Sequence, residues 1–138
     1  ELIKTKNIDI CSRLIIEIIE TSNISKCEYC IEFIHVAKQA GIKIAIDDFG
    51  TGYSNFSHIL DIKPDYLKID GSLIKNIHKD ENALALVKAI VEFSIKLDIK
   101  LIAEFVHNKE VFDVVKKLGI DEFQGYYFGE PRKYLGYD

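Results

Sequence analysis

Ile42-Lys43-Ile44-Ala45-Ile46-Asp47-Asp48 runs from a β-branched strand straight into two carboxylates, and Phe49-Gly50-Thr51-Gly52-Tyr53-Ser54 follows as a glycine-rich loop. β-branched residues suit a pleated, buried surface. The two glycines allow a tight turn whose amides can approach a ligand, ahead of a short helix predicted to begin near Ser54. The same strand, loop and helix order recurs on either side. Upstream, Leu14-Ile15-Ile16-Glu17-Ile18-Ile19 is a run of the kind buried on both faces of a parallel sheet. Ser22, Asn23 and Ser25 then supply turn and cap chemistry. From Lys26 to Gln39, Cys27, Cys30, Ile31, Ile34, Ala37 and Ala40 share one helical face, which Gly41 closes.

Downstream, Pro64 cannot donate a ladder hydrogen bond and so belongs at the margin of the strand Asp65-Tyr66-Leu67-Lys68-Ile69. A helix is predicted from Glu81 to Leu97, with Leu84, Val87, Ile90, Val91, Ser94 and Leu97 along one side. Lys100-Leu101-Ile102-Ala103-Glu104 reads as a strand, and Lys109 to Leu118 as a helix stopped by Gly119. Glu122-Phe123-Gln124 is a last short strand.

Strands alternating with helices over single connections imply a parallel sheet with right-handed crossovers. An open doubly wound sheet and part of a (β/α)8 barrel both satisfy that pattern. The strand ends favour the barrel. Glu17, Asp47, Lys68, Glu104 and Gln124 place one functional group at the C-terminal end of each strand. Barrel sites converge there from separate strands, whereas a doubly wound sheet gathers them at one switch point. Five strands do not close an eight-stranded barrel, and the chain begins Glu1-Leu2-Ile3-Lys4, like the tail of a helix, with no methionine anywhere. The expectation is one partial domain over residues 1–138, with the N-terminal strands missing.

The 138 residues are 48% apolar, enough for one core and too few for two domains. Acidic residues outnumber basic ones, 22 to 18, which argues against a nucleic-acid polymer as partner. A small anion is not disfavoured, because bound cations reverse a local field. No apolar run reaches the ~18 residues of a membrane span and no leader is present, so the expected location is the cytoplasm, with any membrane-bound sensory segment outside this chain. Cys27-Glu28-Tyr29-Cys30 invites a zinc or redox reading, but no further ligand pair follows. Buried or half-buried structural cysteines in a reducing compartment are the favoured reading. His35 and His58 read as helix-surface or packing residues, and His78 as solvated.

Asp47 and Asp48 cannot both be comfortable as neighbouring unpaired anions. A divalent cation removes the conflict; an N-cap beside a solvated turn carboxylate is the other reading. Lys68 lies inside an apolar strand, where a lysine needs a partner. Carboxylates at neighbouring strand ends would supply it, and snorkelling at the sheet edge is the alternative. Glu17 and Glu104 are each metal ligands or salt-bridge partners on the same logic.

Asp47-Asp48-Phe49-Gly50-Thr51-Gly52-Tyr53-Ser54, with Leu67-Lys68-Ile69-Asp70, Ala103-Glu104 and Gln124-Gly125-Tyr126, resembles the EAL-domain family of bacterial cyclic di-GMP phosphodiesterases. The likeness spans roughly Leu14 to Pro131, in the family's order and spacing. It implies the C-terminal five βα units of a (β/α)8 TIM-type barrel that hydrolyses cyclic di-GMP to linear pGpG with two Mg2+ or Mn2+ ions. On this resemblance Glu17 is a ligand of the first metal, Asp47 bridges the two and Asp48 serves the second. Lys68 holds the attacking water or the phosphate. Glu104 binds the second metal's shell and acts as, or beside, the general base, and Gln124 orients waters or substrate. The Thr51 loop links the site to a dimer interface. A homodimer and an upstream sensory or GGDEF-type domain are the implied partners. A degenerate cyclic di-GMP receptor and a dimerising signalling module are the alternatives. Phe105 stands where the family has glycine, and His107 where it has a second acid.

Overall fold

The computed structural model describes residues 8–19, 27–50 and 56–133. Eleven elements follow in order: α1 (Ile8–Cys11), β1 (Ile15–Ile19), α2 (Glu28–Gln39), β2 (Lys43–Phe49), α3 (Phe56–Ile62), β3 (Tyr66–Ile69), α4 (Gly71–Ile74), α5 (Glu81–Leu97), β4 (Lys100–Ala103), α6 (Lys109–Lys117) and β5 (Glu122–Phe123). The five strands pair in parallel in the order β1-β2-β3-β4-β5. A doubly wound sheet would reverse direction at a switch point. An order that only advances is that of a (β/α)8 barrel wall.

Alternation then sorts every strand into two faces. Ile44, Ile46, Leu67, Ile69, Leu101 and Ala103 point to the helices and are at most 3% exposed. They pack with Ile34 and Ala37 of α2, Ile59 and Ile62 of α3, Val87, Ile90 and Val91 of α5, and Val111 and Val115 of α6. Each large aliphatic side chain so buried contributes about 1.5–3 kcal/mol relative to exposure. The opposite face carries Glu17, Lys43, Asp47, Tyr66, Lys68 and Lys100. Expected to be buried on both faces, β1 is buried on neither completely. Ile16 and Ile18 pack on the core, while Ile15 and Ile19 are 46% and 54% exposed. The reason is position: β1 stands at one edge of the sheet and, among the described residues, pairs only with β2.

Caps set the helix boundaries. The Asp80 carboxylate accepts from the Asn82 and Ala83 amides at the start of α5, and Asn108 accepts from Val111 at the start of α6. Two aspartates fix register at the opposite end of the sheet. Asp65, just before β3, accepts from the Ile44 amide of β2 at 3.0 Å, and Asp121, just before β5, accepts from the Leu101 amide of β4 at 2.9 Å. Cys27 caps α2 and is half-buried with Cys30, as expected. The two are joined as a disulfide, which the odd cysteine count did not suggest, and Cys11 is free and buried. Among the described residues no helix is long and apolar enough to cross a membrane.

Candidate active site

β2 does not end as a regular strand. Its pairing with β3 shifts register between Ile46 and Phe49, and Asp48 adopts a left-handed backbone at φ 57°. Such an irregularity re-aims consecutive side chains that a flat strand would send to opposite faces. Asp tolerates this region better than most residues. The Asp48 amide donates to the Asp47 carboxylate at 3.0 Å. Phe49, fully buried, locks the strand immediately beyond.

Glu104 enters from the end of β4, in phase with Ile102 two residues earlier, and its amide donates to the Ile69 carbonyl of β3. One carboxylate oxygen from each of Asp47, Asp48 and Glu104 lies within 4.8 Å of the others, and all three residues are half-buried. The two aspartates expected to share a cation site do lie in one group, which the irregularity at the end of β2 makes possible.

Lys68 occupies the middle of this surface at 4% exposure. Its ammonium donates to Glu104 at 2.8 Å, to Asp47 at 2.9 Å and to Glu17 at 3.0 Å. Three strands thus aim their carboxylates at one lysine from a fourth. Burial alone would lower the lysine's pKa, but the hydrogen bonds to Glu104, Asp47 and Glu17 outweigh it and raise the group above its ordinary range. Burial also dominates at Glu104 and pushes its carboxyl up. Lys68 pulls against that shift, and the charges of Asp47 and Asp48 reinforce it, leaving Glu104 above its usual value. Glu17 is the least enclosed member, with a half-exposed side chain.

Gln124 lies beside Glu104 at the rim of the site. It is exposed, its backbone joins Ala103 and Val106, and it lines a cleft with Glu104. The loop that carries it is pinned from below. Phe112 of α6 meets Phe123 edge-on at 5.1 Å, Tyr127 at 5.4 Å and Phe128 at 5.5 Å. Gly125 lets the loop close: a Cβ there would lie 2.2 Å from the Val106 carbonyl oxygen, and its φ is +152°. Gly125→Ala is therefore expected to cost about 3 kcal/mol or more, read as a lowered midpoint in chemical denaturation. A midpoint within experimental scatter of the parent would show that this close approach yields freely. Thr51 lies outside the described residues, so its expected role is not placed. His107 is exposed, and its ring nitrogens lie 3.2 Å from the Phe105 carbonyl and from the Asn108 amide nitrogen.

All the carboxylates here are hard oxygen donors, the set that suits Mg2+, Mn2+ or Ca2+. The EAL domain profile matches residues 1–131. Cyclic di-GMP phosphodiesterase PdeA of Borreliella burgdorferi is 39% identical over 116 residues, covering 84% of this chain and 17% of that protein. Cyclic di-GMP phosphodiesterase PdeB of Shewanella oneidensis is 34% identical over 121 residues, covering 88% of this chain and 14% of its own. This chain thus spans only about a sixth of either relative's length. The manganese/cyclic di-GMP complex of BlrP1 from Klebsiella pneumoniae superposes with a TM-score of 0.78 at 34% identity, over 84% of this chain and 30% of that one. With the profile covering all but the last few residues, the chain belongs to the EAL domain family.

Proposed function

We propose that this chain forms part of a metal-dependent phosphodiesterase site that hydrolyses cyclic di-GMP to linear pGpG. The observation that carries the reading is the convergence of Asp47, Asp48 and Glu104 within 4.8 Å of one another around a buried lysine. The names of the relatives, and the cyclic di-GMP and manganese in the Klebsiella complex, support the choice of substrate and cation class.

Asp47, Asp48 and Glu104, with Glu17 at the open side, would hold the divalent cations, and Mg2+ or Mn2+ fits their oxygen donors. When bound, the cations supply charge neutralisation at the phosphodiester and lower the pKa of water. The Lys68 ammonium turns its three N–H donors to Glu104, Asp47 and Glu17, so it would hold those carboxylates in place and reach a phosphate oxygen or a water by giving up one of these bonds. Glu104 would accept the proton of the attacking water. Gln124, at the rim, would hold substrate or water by its amide.

The test uses the protein that carries this chain, stripped with EDTA and supplied with cyclic di-GMP. Linear pGpG is expected on adding Mg2+ or Mn2+, with turnover at least about a hundredfold above the stripped protein. One observation favours the receptor alternative: His107 stands near Glu104 where the family has an acid. Tight binding of cyclic di-GMP in Ca2+ with no turnover in Mn2+ would establish that reading instead.

A further inference from the structure

Phe105 follows Glu104 directly and lies in the left-handed region at φ 57°. That conformation is a genuine outlier for a bulky residue and stores strain. Core burial does not compensate, since Phe105 is 54% exposed. The backbone around it is fixed instead. The Glu104 amide bonds Ile69, and Val106, fully buried, donates to Gln124 and accepts from Tyr127. At the start of α4 a side chain on Gly71 would come within 2.8 Å of the Phe105 Cβ, so position 71 leaves room for the phenylalanine and none for itself. A strained, exposed ring, held rigidly next to a carboxylate cluster, is the kind of outlier from which a function is inferred.

The ring is one wall of a cleft of about 340 Å3, completed by Glu104, His107, Gln124, Gly125 and Tyr126. Tyr126 is itself 65% exposed. The Lys75 ammonium stands 5.8 Å from the Phe105 centroid, and the His107 ring 5.9 Å from it. The cleft therefore offers flat aromatic faces and an amide that both donates and accepts, and the Lys75 ammonium stands over the Phe105 ring. It opens against Glu104, where a phosphodiester would lie. A planar heterocycle attached to that phosphodiester matches this set of groups.

We propose that Phe105 is a substrate-binding residue whose ring stacks on one guanine of cyclic di-GMP. The proposal rests on the phosphodiesterase reading above. It assigns the strained phenylalanine a gain in ligand affinity that glycine at this position could not provide.

The experiment measures cyclic di-GMP affinity by calorimetry in Ca2+, using the protein that carries this chain. Phe105→Ala keeps a Cβ in the same backbone and should weaken binding about tenfold. Phe105→Tyr should stay within about threefold of the parent, because the stacking face is kept. Phe105→Gly relaxes the backbone, so it should fold at least as stably as the parent yet bind as weakly as the alanine variant. Phe105→Trp adds an indole to a chain that has no tryptophan, and nucleotide should quench its fluorescence. With Mg2+ or Mn2+, KM should rise in Phe105→Ala by more than kcat falls. Binding by the parent that is indifferent to both alanine and glycine would overturn the stacking role alone. Failure of the parent to bind cyclic di-GMP would overturn this proposal together with the function on which it rests.

Discussion

Replacing Glu104 by glutamine is expected to cut cyclic di-GMP turnover about a thousandfold while leaving binding in Ca2+ within about tenfold. Glutamine keeps the shape and removes the charge. On the proposed mechanism the lost charge would be both a cation ligand and the acceptor of the water's proton, so the loss should fall on kcat. The fold should tolerate the change, because Lys68 retains Asp47 at 2.9 Å and Glu17 at 3.0 Å. Stability in EDTA carries a further expectation. The folded-state pKa of Glu104 is raised above its ordinary value, first by burial and then by Asp47 and Asp48 against the opposing Lys68. A raised carboxyl binds its proton more readily in the folded state, so its ionised form lowers stability once the pH exceeds both values. Removing that charge should leave the melting temperature in EDTA unchanged or higher, even as turnover collapses. Surviving turnover would remove Glu104 from the chemistry. A steep fall in melting temperature would make it a structural residue first.

The architecture was legible because each strand is a short β-branched run and each long helix repeats its apolar residues at three and four. Residues Glu81 to Leu97 came out with the helix bounds read from the sequence. Helices α1 and α4 escaped notice, since four residues are too few to show a period. Apolar content was misleading at β1. Ile15 and Ile19 look like core residues, and only the pairing order shows that they lie on an edge strand, where they stay about half exposed. The site was legible as a set of strand-end polar residues but not as a geometry. A bulge at Asp47 and Asp48 depends on the register with β3, which local sequence does not encode. The strain at Phe105 did leave a signal, a bulky residue where the family carries glycine, yet its consequence is visible only with the backbone angle.

Lys68→Met tests the centre of the same cluster from the opposite sign of charge. Methionine fills much the same volume and removes the ammonium that bridges Glu104, Asp47 and Glu17. Breaking an enclosed ion pair from one side typically costs about 3–5 kcal/mol, because the remaining charges lose compensation. Here Asp47 and Glu104, with side chains 21% and 19% exposed, carry most of that cost. Glu17, with a side chain 51% exposed, adds little, since water screens it. The loss should therefore be largest in EDTA. Millimolar Mg2+ or Mn2+ should recover part of it, because a cation among Asp47, Asp48 and Glu104 removes the same repulsion that the lysine removed. The parent protein should gain less from added metal than the variant does. Turnover, by contrast, should remain at least about a hundredfold below the parent at saturating metal, since the fixed ammonium is gone. Denaturant titrations of both proteins with and without metal decide the point. Equal destabilisation in the two conditions would mean that the lysine and the cations do not share these carboxylates. No destabilisation in EDTA would mean that the acids take up protons when the lysine leaves, and the cluster would then owe its geometry to the bulge and the strand register alone.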